Sequence, residues 1–168
     1  MSTAVKGIFL CALFAGIMTL QWNIETDLTT NSYMKNYLDI AVHDAALALD
    51  DEELSRGYVV FVQDVAEENF RQSLMFHLRL NYDLSPLEDS FFQDPVEIKL
   101  LEFFDDATID PETGEPISFP YVYHNEEYQI IDVLRGPGVV AVIEVQSPRY
   151  FRGEGMTIRK ASVYEYVF

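Results

Sequence analysis

The sequence predicts an α+β protein: a long N-terminal helix, membrane-embedded then amphipathic, followed by a second helix and a four- to five-stranded antiparallel sheet. Three observations lead there. Eighteen residues between Lys6 and Glu25 carry no charge. Apolar residues recur at helical spacing from Asp27 to Leu49 and again over 62–80. Beyond Pro95 the pattern changes to alternation, so helices precede strands, the order typical of α+β chains. With 168 residues and 49% apolar composition, the chain can bury a core and is not a disordered segment.

The first element is the run GIFLCALFAGIMTLQWNI. As a helix rising ~1.5 Å per residue it extends about 27 Å, close to the ~30 Å of a hydrocarbon core. Trp22 stands at its outer end, where indole rings favour headgroups. Lys6 precedes the run and all 28 acids follow it, so the positive-inside rule puts residues 1–6 in the cytoplasm and the rest outside. Small residues Ala12, Ala15 and Gly16 are the candidates for close helix packing within the membrane. Cys11 is a small apolar membrane residue, and a lone cysteine forms no internal disulfide. Two other readings compete: a cleaved secretory signal with its apolar core at 8–18, and a buried core helix.

The second element spans Asp27 to about Asp50. Met34, Leu38, Ala41, Ala45 and Ala48 form one seam, with Asn31, Lys35, Asn36, Asp39, His43 and Asp44 opposite. No Gly or Pro lies between Gly16 and Gly57, which permits one helix of ~40 residues or more, near 60 Å. The alternative is a break at Thr26–Ser32, where hydroxyl and amide side chains could cap a fresh start. The seam packs either on the chain's own domain or, through Met34, Leu38, Ala41 and Ala45, on neighbouring subunits.

The acidic run at 50–54 reads as a helix start or exposed turn, closed by Gly57. Asp64 and Glu67 make a capping-box-like pair for the second helix, which Asn81, Ser85 and Pro86 end. Strands are expected at 96–104, 117–123, 127–134, 139–145 and 156–168. Pro120 marks an edge strand. Residues 110–116 read as a hairpin-like turn, and Arg135–Gly138 as a hairpin turn joining its two flanking strands. The working division is 1–24 membrane helix, 25–57 helical extension and 58–168 extracytoplasmic domain.

Charge narrows the function. The net −17 disfavours nucleic acid as a partner. Residues 25–131 hold 24 acids and 5 bases, whereas 132–168 hold 4 acids and 5 bases. Arg149, Arg152, Arg159 and Lys160 cluster in that last part, either paired within the chain or contacting the acidic flank of a second copy. His43, His77 and His124 have no partner at metal-ligand spacing, and His77 reads as a packed residue on an apolar helix face. Asp105, Asp106, Asp110, Glu112 and Glu115 lack the D-x-D-x-D-G order of a calcium loop and read as solvated carboxylates. No nucleophile elbow, phosphate loop or dinucleotide fingerprint occurs. No enzyme activity, cofactor or metal is expected.

The plan of basic start, apolar helix, Ala-bearing amphipathic extension and closing strands resembles pilin-like proteins. In SYMKNYLDIAVHDAALALD and MTIRKASVYEYVF the chain is similar to TadE/TadF-like proteins of tight-adherence, type IV pilus-type systems. The resemblance is loose across the chain and concentrated at 7–49 and 138–168. It implies a single-pass, cell-surface structural subunit that meets other pilin-like subunits or copies of itself in an envelope filament or secretion apparatus. Lys6-Gly7 followed by Ile8-Phe9-Leu10 fits a prepilin cut, while Ala12 stands where such sites prefer Glu. That departure implies an accessory or minor subunit. The competing reading is a membrane-tethered extracytoplasmic domain that binds a cationic or wall-associated ligand.

Overall fold

The computed structural model describes residues 2–111, 113–151 and 153–166. Helix α1, Thr3–Ala46, runs unbroken for 44 residues, or about 66 Å. The Thr26–Ser32 stretch does not interrupt it. Thr26 Oγ1 donates to the Trp22 carbonyl at 2.9 Å, Thr30 to Thr26 at 2.8 Å and Ser32 to Leu28 at 3.0 Å. These hydroxyls bond back to carbonyls four residues earlier instead of capping free N–H groups, so polar side chains sit in the helix without starting a new one.

The two halves of α1 meet different surroundings. None of the apolar window near its start is buried within the protein, which excludes the buried-core-helix reading. Beyond Glu25 one stripe is covered completely: Thr30, Met34, Leu38, Ala41, Val42, Ala45 and Ala46 are each 0% exposed. Met34, Leu38, Ala41 and Ala45 therefore pack on the chain's own core and have no surface left for a neighbouring subunit.

That core lies between two layers. Helix α3, Gln63–Leu78, contributes Ala66, Phe70, Leu74 and Leu78 beside α1. Its start carries no side-chain cap, since Val62 holds the N-cap position and the Asp64–Glu67 capping box does not form. Asp64 sits instead in the first turn, where a carboxylate favours the positive end of the helix dipole. The short α2, Asp51–Ser55, is a true helix start: Asp50 accepts from the N–H groups of Glu52 and Glu53 at 2.9 and 3.0 Å. Gly57 follows it at φ +91°, a backbone angle that glycine adopts without cost.

Five strands form two antiparallel sheets rather than one. Strands β1 (Glu97–Phe104), β4 (Gly138–Gln146) and β5 (Thr157–Glu165) pair in the order β1-β4-β5. Strands β2 (Tyr121–Asn125) and β3 (Ile130–Leu134) pair only with each other. Residues 117–120 precede β2, while His124 and Asn125, beyond the strand expected at 117–123, belong to it. Val139, Ala141, Ile143 and Val145 of β4 face the helices. Val140 faces the β2–β3 hairpin, beside Phe104, Tyr123 and Leu134. Strand β4 is thus central and covered on both faces, which explains its continuous apolar run.

Arg135–Gly138 is not a hairpin turn, because β3 and β4 lie in different sheets. It is the link between layers. A Cβ on Gly136 or Gly138 would fall 2.2 or 2.5 Å from the carbonyl oxygens of Tyr166 and Tyr164, so only glycine lets this link dock on the end of β5. The turn expected at 110–116 is present in its described residues: Asp110 N–H donates to Glu115 O at 2.9 Å, and Ile109 bridges Pro116. Glu112 lies outside the described residues.

Helix α1 stops four residues short of Asp50 for a tertiary reason. Asp50 N–H donates to Val60 O at 2.9 Å and Val62 N–H to Ala48 O at 2.8 Å, which pulls 48–50 into an extended pairing. Tyr166 O–H donates to the Ala46 carbonyl at 2.6 Å, satisfying one of the acceptors that a helix end leaves open. Ala48 and Leu49 thus share one core with α1 and the strands.

Leu38→Ala should cost ~2–5 kcal/mol, since it opens a cavity in a stripe with no access to solvent. Lys35→Ala, which removes only the half-exposed pair with Asp39, should leave stability nearly unchanged. Urea unfolding of the detergent-solubilised protein, followed by tyrosine fluorescence, checks the contrast.

Candidate functional site: the junction of the exposed helix and the globular domain

The candidate packing residues Ala12, Ala15 and Gly16 lie on the part of α1 that extends from the domain, and all three are exposed. Nothing stands within 4 Å of where a Cβ on Gly16 would be. Around them Ile8, Phe9, Leu10, Leu13, Phe14, Ile17, Leu20 and Trp22 are each at least half exposed. Cys11 is exposed as well. A helix of this length and apolarity is long enough to cross a membrane.

Where this segment enters the domain, polar groups from distant parts of the chain converge on Asp27. Arg149 grips its carboxylate with both arms, Nη1 to Oδ1 at 2.7 Å and Nη2 to Oδ2 at 3.0 Å. The Arg149 and Asp27 side chains are only 13% and 18% exposed. Ser147 Oγ also donates to Asp27. Arg149 further donates to Pro148 O at 3.0 Å and Glu154 O at 3.1 Å, and its backbone N–H reaches Gln93 Oε1 at 3.1 Å. Burial pushes the Asp27 carboxyl up, but hydrogen bonds from Arg149 and Ser147 and the guanidinium charge outweigh it, so its pKa falls below the ordinary value. A two-armed contact of this kind fixes direction as well as distance.

Two similar contacts sit higher on α1. Ser162 Oγ donates to Asp39, and Ser73 Oγ donates to Asp44 Oδ2 at 2.7 Å. Together with Tyr166 at Ala46, they order the contacts along the helix: 147 and 149 at residue 27, 162 at 39, 166 at 46. Strand β5 therefore runs parallel to α1, away from the apolar segment, and the β4–β5 turn lies nearest to it.

Two members of the basic cluster are engaged within the chain. Arg149 is held inside the junction. Arg159 pairs with Glu144 at 2.7 Å and lies over the Tyr128 ring at 5.3 Å. Lys160 is half-buried on β5, and Arg152 lies outside the described residues. Among the acids expected to be solvated, Asp105 is buried and accepts from the N–H groups of Phe61 at 3.0 Å and Ala107 at 3.1 Å. Asp106 accepts from Val59 N–H at 2.7 Å. They fasten the end of β1 to the segment after α2. His77 is half-buried and stacks on Tyr37 at 5.2 Å, His43 meets Tyr164 edge-on, and His124 is exposed on β2. Among the described residues no group of three or more His, Cys, Asp or Glu is arranged to hold a metal.

Asp27, Ser147 and Gln93 were not marked by any pattern in the sequence. They lie up to 120 residues apart, and only the antiparallel return of β4 brings them together. Comparison with family models, curated proteins and solved structures finds no match to this chain.

Because folding lowers the Asp27 pKa below its ordinary 3.8, the junction's contribution is complete above that value. It is lost as pH falls through the folded-state pKa. Asp27→Asn should remove this part of the acid sensitivity. Arg149→Ala should cost ~1–3 kcal/mol at neutral pH, because it leaves a largely covered carboxylate without its guanidinium hydrogen-bond donors. Thermal melting of wild type and both variants between pH 3 and 7 measures this.

Proposed function

We propose that the protein is a non-enzymatic, membrane-anchored, pilin-like subunit, structural or accessory, of an envelope filament or secretion apparatus. One observation carries the reading. A single unbroken helix has an apolar first half exposed on every side and a second half that is the core of an α+β domain. The exposed half needs a lipid or protein surrounding, because so much apolar surface is unfavourable in water. The continuity of the helix means that whatever surrounds that half also fixes the position of the domain. Its resemblance to TadE/TadF-like proteins at 7–49 and 138–168 supports the same reading.

In this account Lys6 stays on the cytoplasmic side and the acidic domain lies outside. Copies meet through the apolar segment, where Ala12, Ala15 and Gly16 allow close approach of a second helix. The seam at 34, 38, 41 and 45 takes no part, since the protein's own domain already covers it. Charge plays a smaller role than the sequence suggests, because Arg149 and Arg159 are engaged within the chain.

The test is crosslinking of the full-length protein on intact cells with a membrane-impermeant amine reagent, which can reach Lys35 and Lys99 only if the domain is outside. Wild type should give oligomers, Gly16→Leu should give fewer while its domain keeps the wild-type melting temperature, and salt should change little. Crosslinks that appear only after lysis reverse the orientation. A protein that stays monomeric throughout is instead a membrane-tethered binding domain, for which the acidic surface fits a cationic or wall-associated ligand.

A further inference from the structure

The β4–β5 turn carries three large apolar side chains in the open. Tyr150 is 59% exposed, Phe151 48% and Met156 57%. The turn is nevertheless well anchored: Ser147 N–H donates to Met156 O at 2.9 Å and closes its base, and Arg149 ties it to Asp27, Glu154 and Gln93. These side chains are therefore held outward rather than left loose.

Their position along α1 gives the exposure a meaning. The contacts at 27, 39 and 46 show that this turn is the end of the sheet nearest the apolar segment. It reaches further still, since a Cβ on Gly153 would come within 3.9 Å of Asn23 Nδ2. Asn23 belongs to the last turn of the charge-free run, next to Trp22, which is 57% exposed. The turn thus lies level with the outer end of that run. Aromatic side chains concentrate at this level in membrane proteins, where their rings bridge headgroups and acyl chains. Asp27 and Arg149 at its base neutralise each other, and Glu154 is exposed within the turn itself, a charge that suits the headgroup level but not the acyl interior.

We propose that the β4–β5 turn is a second membrane contact, with Tyr150, Phe151 and Met156 seated at the headgroup–acyl boundary of the bilayer that α1 crosses. The inference rests on the reading of α1 as a membrane anchor. It adds a second point of attachment on the opposite side of the Asp27–Arg149 junction. Two contacts fix the rotation and tilt of the domain over the lipid surface, whereas one helix alone leaves it free to rotate about its axis.

Fluorescence quenching by lipids brominated on their acyl chains tests both layers of the argument. Trp22 is the only tryptophan, so wild type in vesicles reports the span directly. In a Trp22→Phe background, Phe151→Trp and Tyr150→Trp report the turn. Phe76→Trp is the control, because Phe76 is exposed beside His77, which stacks on Tyr37, fourteen residues and about 21 Å beyond Asn23. Quenching of wild type and of both turn variants to a similar degree, with the Phe76→Trp variant unquenched, is the expected result. Wild type quenched but both turn variants unquenched overturns the second contact and leaves the span standing. Wild type unquenched overturns the span and the contact with it.

Discussion

The stripe formed by Thr30, Met34, Leu38, Ala41 and Ala45 is the surface on which the rest of the domain is built. Its small members let neighbours approach the helix axis, and its large members fill the space between. Helix α3 lies along it through Phe70 and Leu74, and β4 crosses it with Val139, Ala141, Ile143 and Val145. With one face of the sheet closed in this way, the apolar residues on the other face still need cover. The β2–β3 hairpin supplies it through Tyr123 and Leu134. The three layers follow from one helix that is too apolar along one stripe to remain alone in water.

Polar contacts then set direction. The helix meets β5 and its preceding turn through Asp27, Asp39 and the Ala46 carbonyl, each satisfied by a side chain from the last part of the chain. Apolar packing alone would tolerate a shift of the strands along α1. A bidentate guanidinium–carboxylate contact does not, since both of its hydrogen bonds fail together when the groups slide. The proposed anchor and the domain are therefore joined without a flexible linker, and the domain's height above Asn23 is set by covalent and hydrogen-bonded geometry.

Much of this was legible in the sequence, and the reasons for what was not are physical. Helical spacing along α1 and α3 reflects burial of one face, which periodicity reports directly, whereas the apolar side chains of β1 meet the core on both sides of the sheet. The division into two sheets left no such trace, because strand alternation is the same whichever partner a strand takes. Arg135–Gly138 shows the problem well: its glycines are required by the close approach of Tyr164 and Tyr166, not by a hairpin, yet both demands put the same residues in place. The end of α1 at Ala46 was hidden too, since pairing with residues 60–62 stops the helix and no Gly or Pro does. Arg149 looked like a surface charge because its partner is 122 residues away. The seam at 34, 38, 41 and 45 was visible, but what covers it could only be read from the fold.

The central claim is that α1 is one rigid element joining an exposed apolar segment to the domain core, and amide hydrogen exchange of the full-length protein in lipid nanodiscs tests it most directly. The account predicts strong protection from about residue 8 to residue 46, with no gap at 24–32, because every amide there lies within an unbroken helix and the junction at Asp27 holds it on the domain. Rapid exchange confined to residues 24–32, with protection on both sides, would show a hinge at that point and contradict it.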